Sequence, residues 1–299
     1  VKRLLHTESA RDRIIARFDA MPGKLQIAAR YILDHPREVA LNSMRELAAK
    51  AGVQPSTMTR LSKFLGYDGF NEIRDDHANA IRKHNDGFAA RARASGQTGD
   101  DLQASALARD MLERLGQDLL RLSSGDMLER IAEAAERLSA ARRIYVLGLR
   151  SSHSVAWHFH YVLSLLGDKA VLLDGTAHTA GDALIWATEA DALLVVSLNP
   201  YVVQTLKLAQ VARDKGMSVI SITDSAVSPL VNLSDTALLC PVENGSFFHT
   251  LTPALAVSEV LCGLLANRDK AAAVRALQRA DDHMLATEVY AQTLPKRAL

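Results

Sequence analysis

Between Gln54 and Leu65 the chain reads QPSTMTRLSKFL, a stretch with short hydroxyls, an arginine and a lysine and no carboxylate. Hydroxyls and lysines suit phosphate oxygens, and arginine can also read a base edge in the major groove. On a helix, at about 100° per residue, Ser56, Thr59, Arg60 and Lys63 share one side while Met58, Leu61, Phe64 and Leu65 share the other. Ser56, Thr59, Arg60 and Lys63 are therefore candidate DNA-binding residues, and Gln54 and Thr57 of the same stretch are counted with them. An ordinary helical hairpin with a solvated face has the same spacing, and the missing carboxylates favour DNA.

Such a face needs a helix held in place from behind. Met44, Leu47, Ala48 and Ala51 form the apolar stripe of a preceding short helix, Gly52 stands where a left-handed residue would end it, and Pro55 fits the first position of the next. This spacing predicts a helix-turn-helix. Around it, Thr7 or Ser9 is expected to cap a helix bearing Ile14, Ile15, Phe18 and Met21, which Pro22-Gly23 ends. A second helix with Leu25, Ala28, Tyr31 and Ile32 is expected to stop before Pro36, and another follows Tyr67-Asp68-Gly69. Five short helices make an all-α domain over residues 1–84. Charge supports the partition: residues 1–97 carry 17 Lys and Arg against 11 Asp and Glu, the remainder 18 against 23.

Residues 85–101 read as a linker, poor in large apolar side chains, and residues 102–299 as a second domain. Two helices, carrying Leu102–Leu119 and Met127–Leu138, are expected first, the second capped by Asp126. Continuous apolar runs then appear at Ile144–Leu147, Ala170–Leu173, Ala192–Leu198, Ser218–Ile222 and Ala237–Leu239. Helical patterns at His153–Leu166, His178–Ala187 and Val203–Lys215 separate the first four, and two more close the chain at Leu251–Leu265 and Ala271–Leu294. Continuous hydrophobicity suits strands buried on both faces, so the expectation is an α/β fold with a doubly wound, five-stranded parallel sheet. Ligands of such sheets sit beyond the strand carboxyl ends. There Arg150, Ser151 and Ser152 offer a planar cation and hydroxyls, and Asn199 and Tyr201 offer further polar groups.

Cys240 and Cys262 are the only cysteines, both in apolar settings, and are expected as buried, reduced thiols. His153, His158 and His160 cluster in sequence, but His153 and His160 stand two helical turns apart and cannot clasp one ion, so no metal is expected. No cofactor is expected either: Gly148-Leu149-Arg150 breaks the glycine fingerprint for dinucleotides. His178, His249 and Glu259 are the only candidate bases for an isomerase, and no catalytic residue is assigned. Without a signal peptide or a membrane-spanning apolar run, the sequence predicts a cytoplasmic protein with no membrane partner.

Both parts resemble one family. Glu46-Leu47-Ala48, Ala51-Gly52-Val53, Pro55, Thr57, Arg60, Leu65-Gly66 and Gly69-Phe70 resemble the helix-turn-helix of RpiR-type bacterial transcriptional regulators. Ile144–Gly148, Asp191–Ser197 and Val219–Asp224 through Ser228-Pro229-Leu230 to Asp235 resemble their SIS, or sugar isomerase, domain. The resemblance implies an operator-binding first domain and a second that dimerises and senses a metabolite, commonly a phosphorylated sugar. It implies effector contacts at Gly148, Arg150, Ser151, Ser152, Ser197, Asn199, Tyr201 and Thr223. Three departures stand out. In the first ligand loop Gly148-Leu149-Arg150-Ser151-Ser152 stands where the family usually has Gly-x-Gly-x-Ser. Gln54 occupies the cap position usually held by serine, and Ser197-Leu198-Asn199-Pro200-Tyr201-Val202 lacks the hydroxyls and glycine of the family's Ser-x-Ser-Gly-x-Thr loop. The expected protein is a dimeric or tetrameric regulator of double-stranded operator DNA, with a small, anionic effector such as a sugar phosphate or sugar acid. The alternative is a SIS-fold sugar-phosphate isomerase or related enzyme.

Overall fold

The computed structural model describes residues 10–85, 88, 89, 92 and 104–290. The chain divides into two compact units, Val1–Arg91 and Ala92–Leu299. Thr7, Ser9 and most of the expected linker lie outside the described residues.

The first unit contains α1 (Ala10–Arg17), α2 (Gly23–Asp34), α3 (Pro36–Leu41), α4 (Met44–Lys50), α5 (Pro55–Phe64) and α6 (Phe70–Asn85). One more helix is present than the sequence predicts. Pro36 does not merely end a helix: it occupies the first position of α3, where its missing N–H costs nothing. Ile14, Leu25, Ile32, Leu47, Met58, Leu61, Leu65 and Ile73 meet in a single core. The helix-turn-helix is α4–turn–α5. At its start Ser43 Oγ accepts from the Glu46 amide while Glu46 accepts from the Ser43 amide at 2.8 Å, a capping box. Gly52 has φ +67°, and the Val53 amide reaches back to the Ala48 carbonyl at 2.9 Å, which turns the chain sharply into α5.

The second unit opens with α7 (Ala104–Arg121) and α8 (Gly125–Ala140). Asp126 is not the cap of α8: Ser124 occupies that position and Asp126 lies in the first turn. Five strands follow, β1 (Ile144–Gly148), β2 (Ala170–Leu172), β3 (Ala192–Val196), β4 (Ser218–Thr223) and β5 (Thr236–Leu239), all parallel in the order β2-β1-β3-β4-β5. The helices are α9 (His153–Ser164), α10 (Val203–Asp214), α11 (Thr252–Arg268) and α12 (Lys270–Ala286). Alternate strand residues feed two cores. Ile144, Val146, Leu194, Val196, Ile220 and Ile222 pack with α8, α9 and α11, and Tyr145, Leu147, Leu193, Val195 and Val219 pack with α10. Burial on both faces accounts for the unbroken apolar runs. The helix expected at His178–Ala187 is absent; two short 3-10 turns, Thr176–His178 and Asp182–Trp186, connect β2 to β3 instead. The closing helix ends at Ala286, short of the predicted Leu294, and Glu288 turns back with φ +50°. Cys240 and Cys262 are buried free thiols, and burial pushes both up to about 12.

Asp191 ties the start of β3 to the start of β1. Its buried carboxylate accepts from Arg142 Nε and Nη2 at 2.9 and 2.8 Å, from the Arg143 amide at 3.1 Å and from the Thr188 amide at 2.8 Å. The Arg142 guanidinium in particular holds this carboxyl below its ordinary value of 3.8. Its stabilisation is thus fully present above that value and is lost as pH falls through the depressed one. Asp191→Asn is expected to cost about 2 kcal/mol in urea unfolding at pH 7, because one oxygen cannot serve four donors. The gap from wild type should shrink steadily in melts taken at decreasing pH below 4, and a gap that stayed constant would remove the ionised carboxylate from this role.

Candidate functional site

On α5 the exposed residues are Gln54, Ser56, Thr59, Arg60 and Lys63. Gln54 makes no side-chain cap, so its amide group is not spent on the helix. Neither Arg60 nor Lys63 forms an ion pair among the described residues. Thr57 departs from the predicted set. It is 5% exposed and faces the core with Met58 and Leu61, so it supports the helix rather than presenting a hydroxyl. Thr59 directs its hydroxyl to the Pro55 carbonyl at 3.4 Å and to Met44 Sδ at 3.6 Å, which fixes its rotamer on the exposed side. The far end of α5 is held by α1: Arg17 Nη1 donates to the Phe64 carbonyl at 2.8 Å, a cation at a helix C-terminus. Arg13 lies over the Tyr67 ring at 4.6 Å. Neither arginine was singled out by spacing. The Ser43-x-x-Glu46 pattern of the capping box was legible, and the sequence reading passed over it.

In the second unit, strand register sets the site. Gly148 pairs with Val196, Val196 with Ile222, and the strand order reverses between β1 and β3. The loops after these two strands therefore open side by side at the switch point, where doubly wound sheets bind ligands. β1 ends against α9 with no room to spare: a Cβ on Gly148 would stand 2.5 Å from the Ser152 carbonyl oxygen and 2.8 Å from Ala156 Cβ. Arg150 and Ser151 bulge between these points in a 3-10 turn, Arg150 at φ +54° with its side chain exposed. It pairs with neither Asp174 nor Asp182, and Asp174 instead accepts from the Thr176 amide at 3.0 Å. Ser151 Oγ lies 3.1 Å from His249 Nε2.

The predicted effector residues separate into two groups. Arg150 and Ser151 on one loop and Asn199 and Tyr201 on the next lie at the mouth, all at least partly accessible. Ser152, Ser197 and Thr223 are buried behind them. Thr223 Oγ1 donates to the Ser197 carbonyl at 2.8 Å and lies 2.7 Å from Ser228 Oγ, and the Ser197 amide is spent on Ile222. Thr223 is thereby a brace between the β3 and β4 loops instead of a ligand contact. Gly148 acts through space, by admitting the Ser152 carbonyl.

His249 was read only as a candidate base; the structure adds it to the mouth, 98 residues from Ser151, buried and stacked on Phe248 at 4.2 Å. No spacing signal could have joined the two. Of the other candidate bases, His178 falls in the 3-10 turn after β2, and Glu259 is exposed on α11 with His158 at 3.9 Å.

The helix-turn-helix domain of the rpiR family matches residues 19–83, and the SIS domain matches residues 137–263. The chain belongs to the RpiR family. Among relatives of known sequence, the bifunctional protein Glk of Burkholderia orbicola is 26% identical over 227 residues, 76% of this chain but 34% of that protein. The chain thus spans about a third of that relative's length. The HTH-type transcriptional regulator HexR of Pseudomonas aeruginosa is 24% identical over 260 residues, covering 84% of this chain and 85% of its own. In three dimensions the chain is similar to the Vibrio vulnificus NanR protein complexed with ManNAc-6P, with a TM-score of 0.53, 22% identity, and coverage of 93% and 98%. That likeness establishes a shared fold.

Gly148→Ala tests the tight approach in this RpiR protein. Because the obstructing atom is backbone, the Ser152 turn must move, and a loss of about 1–3 kcal/mol is expected in chemical denaturation. An unchanged midpoint would show that the loop yields freely.

Proposed function

We propose that this chain is a transcriptional regulator that binds operator DNA through α5 and changes its affinity when a small anionic metabolite occupies the mouth between the β1 and β3 loops. The observation that carries the reading is the carboxylate-free, exposed face of α5, on which Arg60 and Lys63 form no ion pair among the described residues. Arg60 is the base-reading candidate, Lys63 the phosphate contact, and Gln54, Ser56 and Thr59 the flanking polar contacts. HexR is itself named a transcriptional regulator and the NanR structure contains ManNAc-6P, which supports a sugar-derived effector for the present chain.

Regulation of this kind works best with two recognition helices, because one helix-turn-helix makes few base contacts. The second unit offers a surface for assembly. Val260 and Leu264 on α11, Val274 and Leu277 on α12, and the stacked Trp157–Tyr161 pair on α9 are all exposed. A homodimer or homotetramer joined through these helices would cover them.

Gel shifts with the DNA flanking the gene test the reading. Arg60→Ala is expected to weaken binding by about 1–3 kcal/mol and Lys63→Ala to reduce the salt slope by about 1. Light scattering at micromolar concentration is expected to give at least a dimer. Wild-type affinity in both variants across a salt titration would remove α5 from DNA recognition, and a monomer with and without DNA would remove the assembly.

A further inference from the structure

Resting on the reading of the β1–β3 mouth as an effector site, we infer that its ligand is a polyhydroxy carboxylate, such as a sugar acid, bound through Arg150, and that a phosphate ester is not its preferred ligand.

The first observation is Arg150 itself. A residue with a Cβ at φ +54° occupies a backbone region that glycine adopts most readily, and the fold holds Arg150 there in the turn between Gly148 and Ser152. Its guanidinium has no carboxylate partner among the described residues, although Asp174 and Asp182 belong to the neighbouring loop. The surrounding backbone is rigid. The Ser152 carbonyl abuts Gly148 on one side, and a Cβ on Gly175 would stand 3.2 Å from Leu149 Cδ2 on the other. Ala177, on that same neighbouring loop, also has φ +54°. Strained residues on two adjacent loops mark the mouth as a place where the fold gives up stability to fix geometry.

The second observation is what the facing loop lacks. A phosphate monoester carries up to two charges and three acceptor oxygens, and it needs a cluster of amides and hydroxyls. After β3 the Ser197 amide is bonded to Ile222, the Ser197 carbonyl is occupied by Thr223, and Pro200 has no N–H. One arginine fork matches the two oxygens of one carboxylate, whereas a dianion would remain under-donated.

The third observation supplies the polyhydroxy part. Ser151 Oγ and His249 Nε2, 3.1 Å apart, form a donor–acceptor pair beside Arg150, and Asn199 and Tyr201 stand across the mouth. β1 and β3 are adjacent parallel strands, so the loops that leave their carboxyl ends are neighbours. Carboxylate at Arg150 and hydroxyls toward Ser151 and Asn199 satisfy both sides.

The experiment is calorimetry on the full chain with matched six-carbon probes: D-gluconate and D-glucuronate, D-glucose, and D-glucose 6-phosphate, extended to other aldonates and uronates and their phosphate counterparts. At least one acid is expected to bind 10-fold or more tightly than its neutral and phosphorylated counterparts. Arg150→Gly is the informative variant, because glycine accepts φ +54° and should leave the melting temperature equal or higher. It is expected to lose acid binding by at least 10-fold, Arg150→Lys to restore only part, and Ser151→Ala to weaken it several-fold. Equal acid binding by wild type and Arg150→Gly, preference for the phosphates, or no binding by any acid would each overturn the inference. Gel shift of the ligand-free wild type judges the regulatory reading separately, since it does not depend on which anion binds.

Discussion

The register of β1 on β3 is the constraint on which the second unit's candidate site depends. Asp191 sets it at the amino end, where one carboxylate gathers the Arg142 fork and the Arg143 and Thr188 amides, placing Ile144 opposite Ala192. Four residues on, the same register brings Gly148 level with Val196 and Val196 level with Ile222. A slip of one residue would turn every strand side chain to the opposite core and would carry Arg150 away from the loop it faces. An ion pair far from the mouth therefore acts on the mouth through the sheet. The ordered braces at the other end, Thr223 on the Ser197 carbonyl and on Ser228, preserve what the register delivers.

What could be read from the amino acids follows the range of the interaction. The helix-turn-helix is local: a stripe at three- and four-residue spacing, a glycine at φ +67° and a proline at the first helical position all lie within about two dozen residues. The five strands were legible because burial on both faces leaves unbroken apolar runs. Pro36 misled because proline can end one helix and begin the next, and only tertiary contacts decide. The segment at 178–187 carries a helical spacing, yet it spans two 3-10 turns in which Leu184 reaches the core while Ile185 and Trp186 are exposed. The pairing of Ser151 with His249 crosses 98 residues and the four connections that lead from β1 to β5, beyond any pattern that spacing can hold. Thr57 was assigned to the DNA face from family likeness, whereas its position on the helix wheel, next to Met58, already pointed inward.

Charge separates the two binding tasks. The basic surplus of residues 1–97 lies in the part that carries α5, and such a surplus attracts a polyanion from a distance. Attraction of that kind is carried by released counterions and must weaken steeply with salt. The remainder of the chain, with 18 basic against 23 acidic residues, provides no comparable pull for a small anion. On the reading proposed above, selection there is made at contact, by a directional fork, over distances shorter than the screening length of about 8 Å at physiological ionic strength. One chain thus carries a long-range, salt-sensitive site and a short-range, geometry-sensitive one. Raising the salt concentration should loosen DNA far more than it loosens the metabolite. A regulator built this way can keep reading its effector under ionic conditions that strip it from nonspecific DNA.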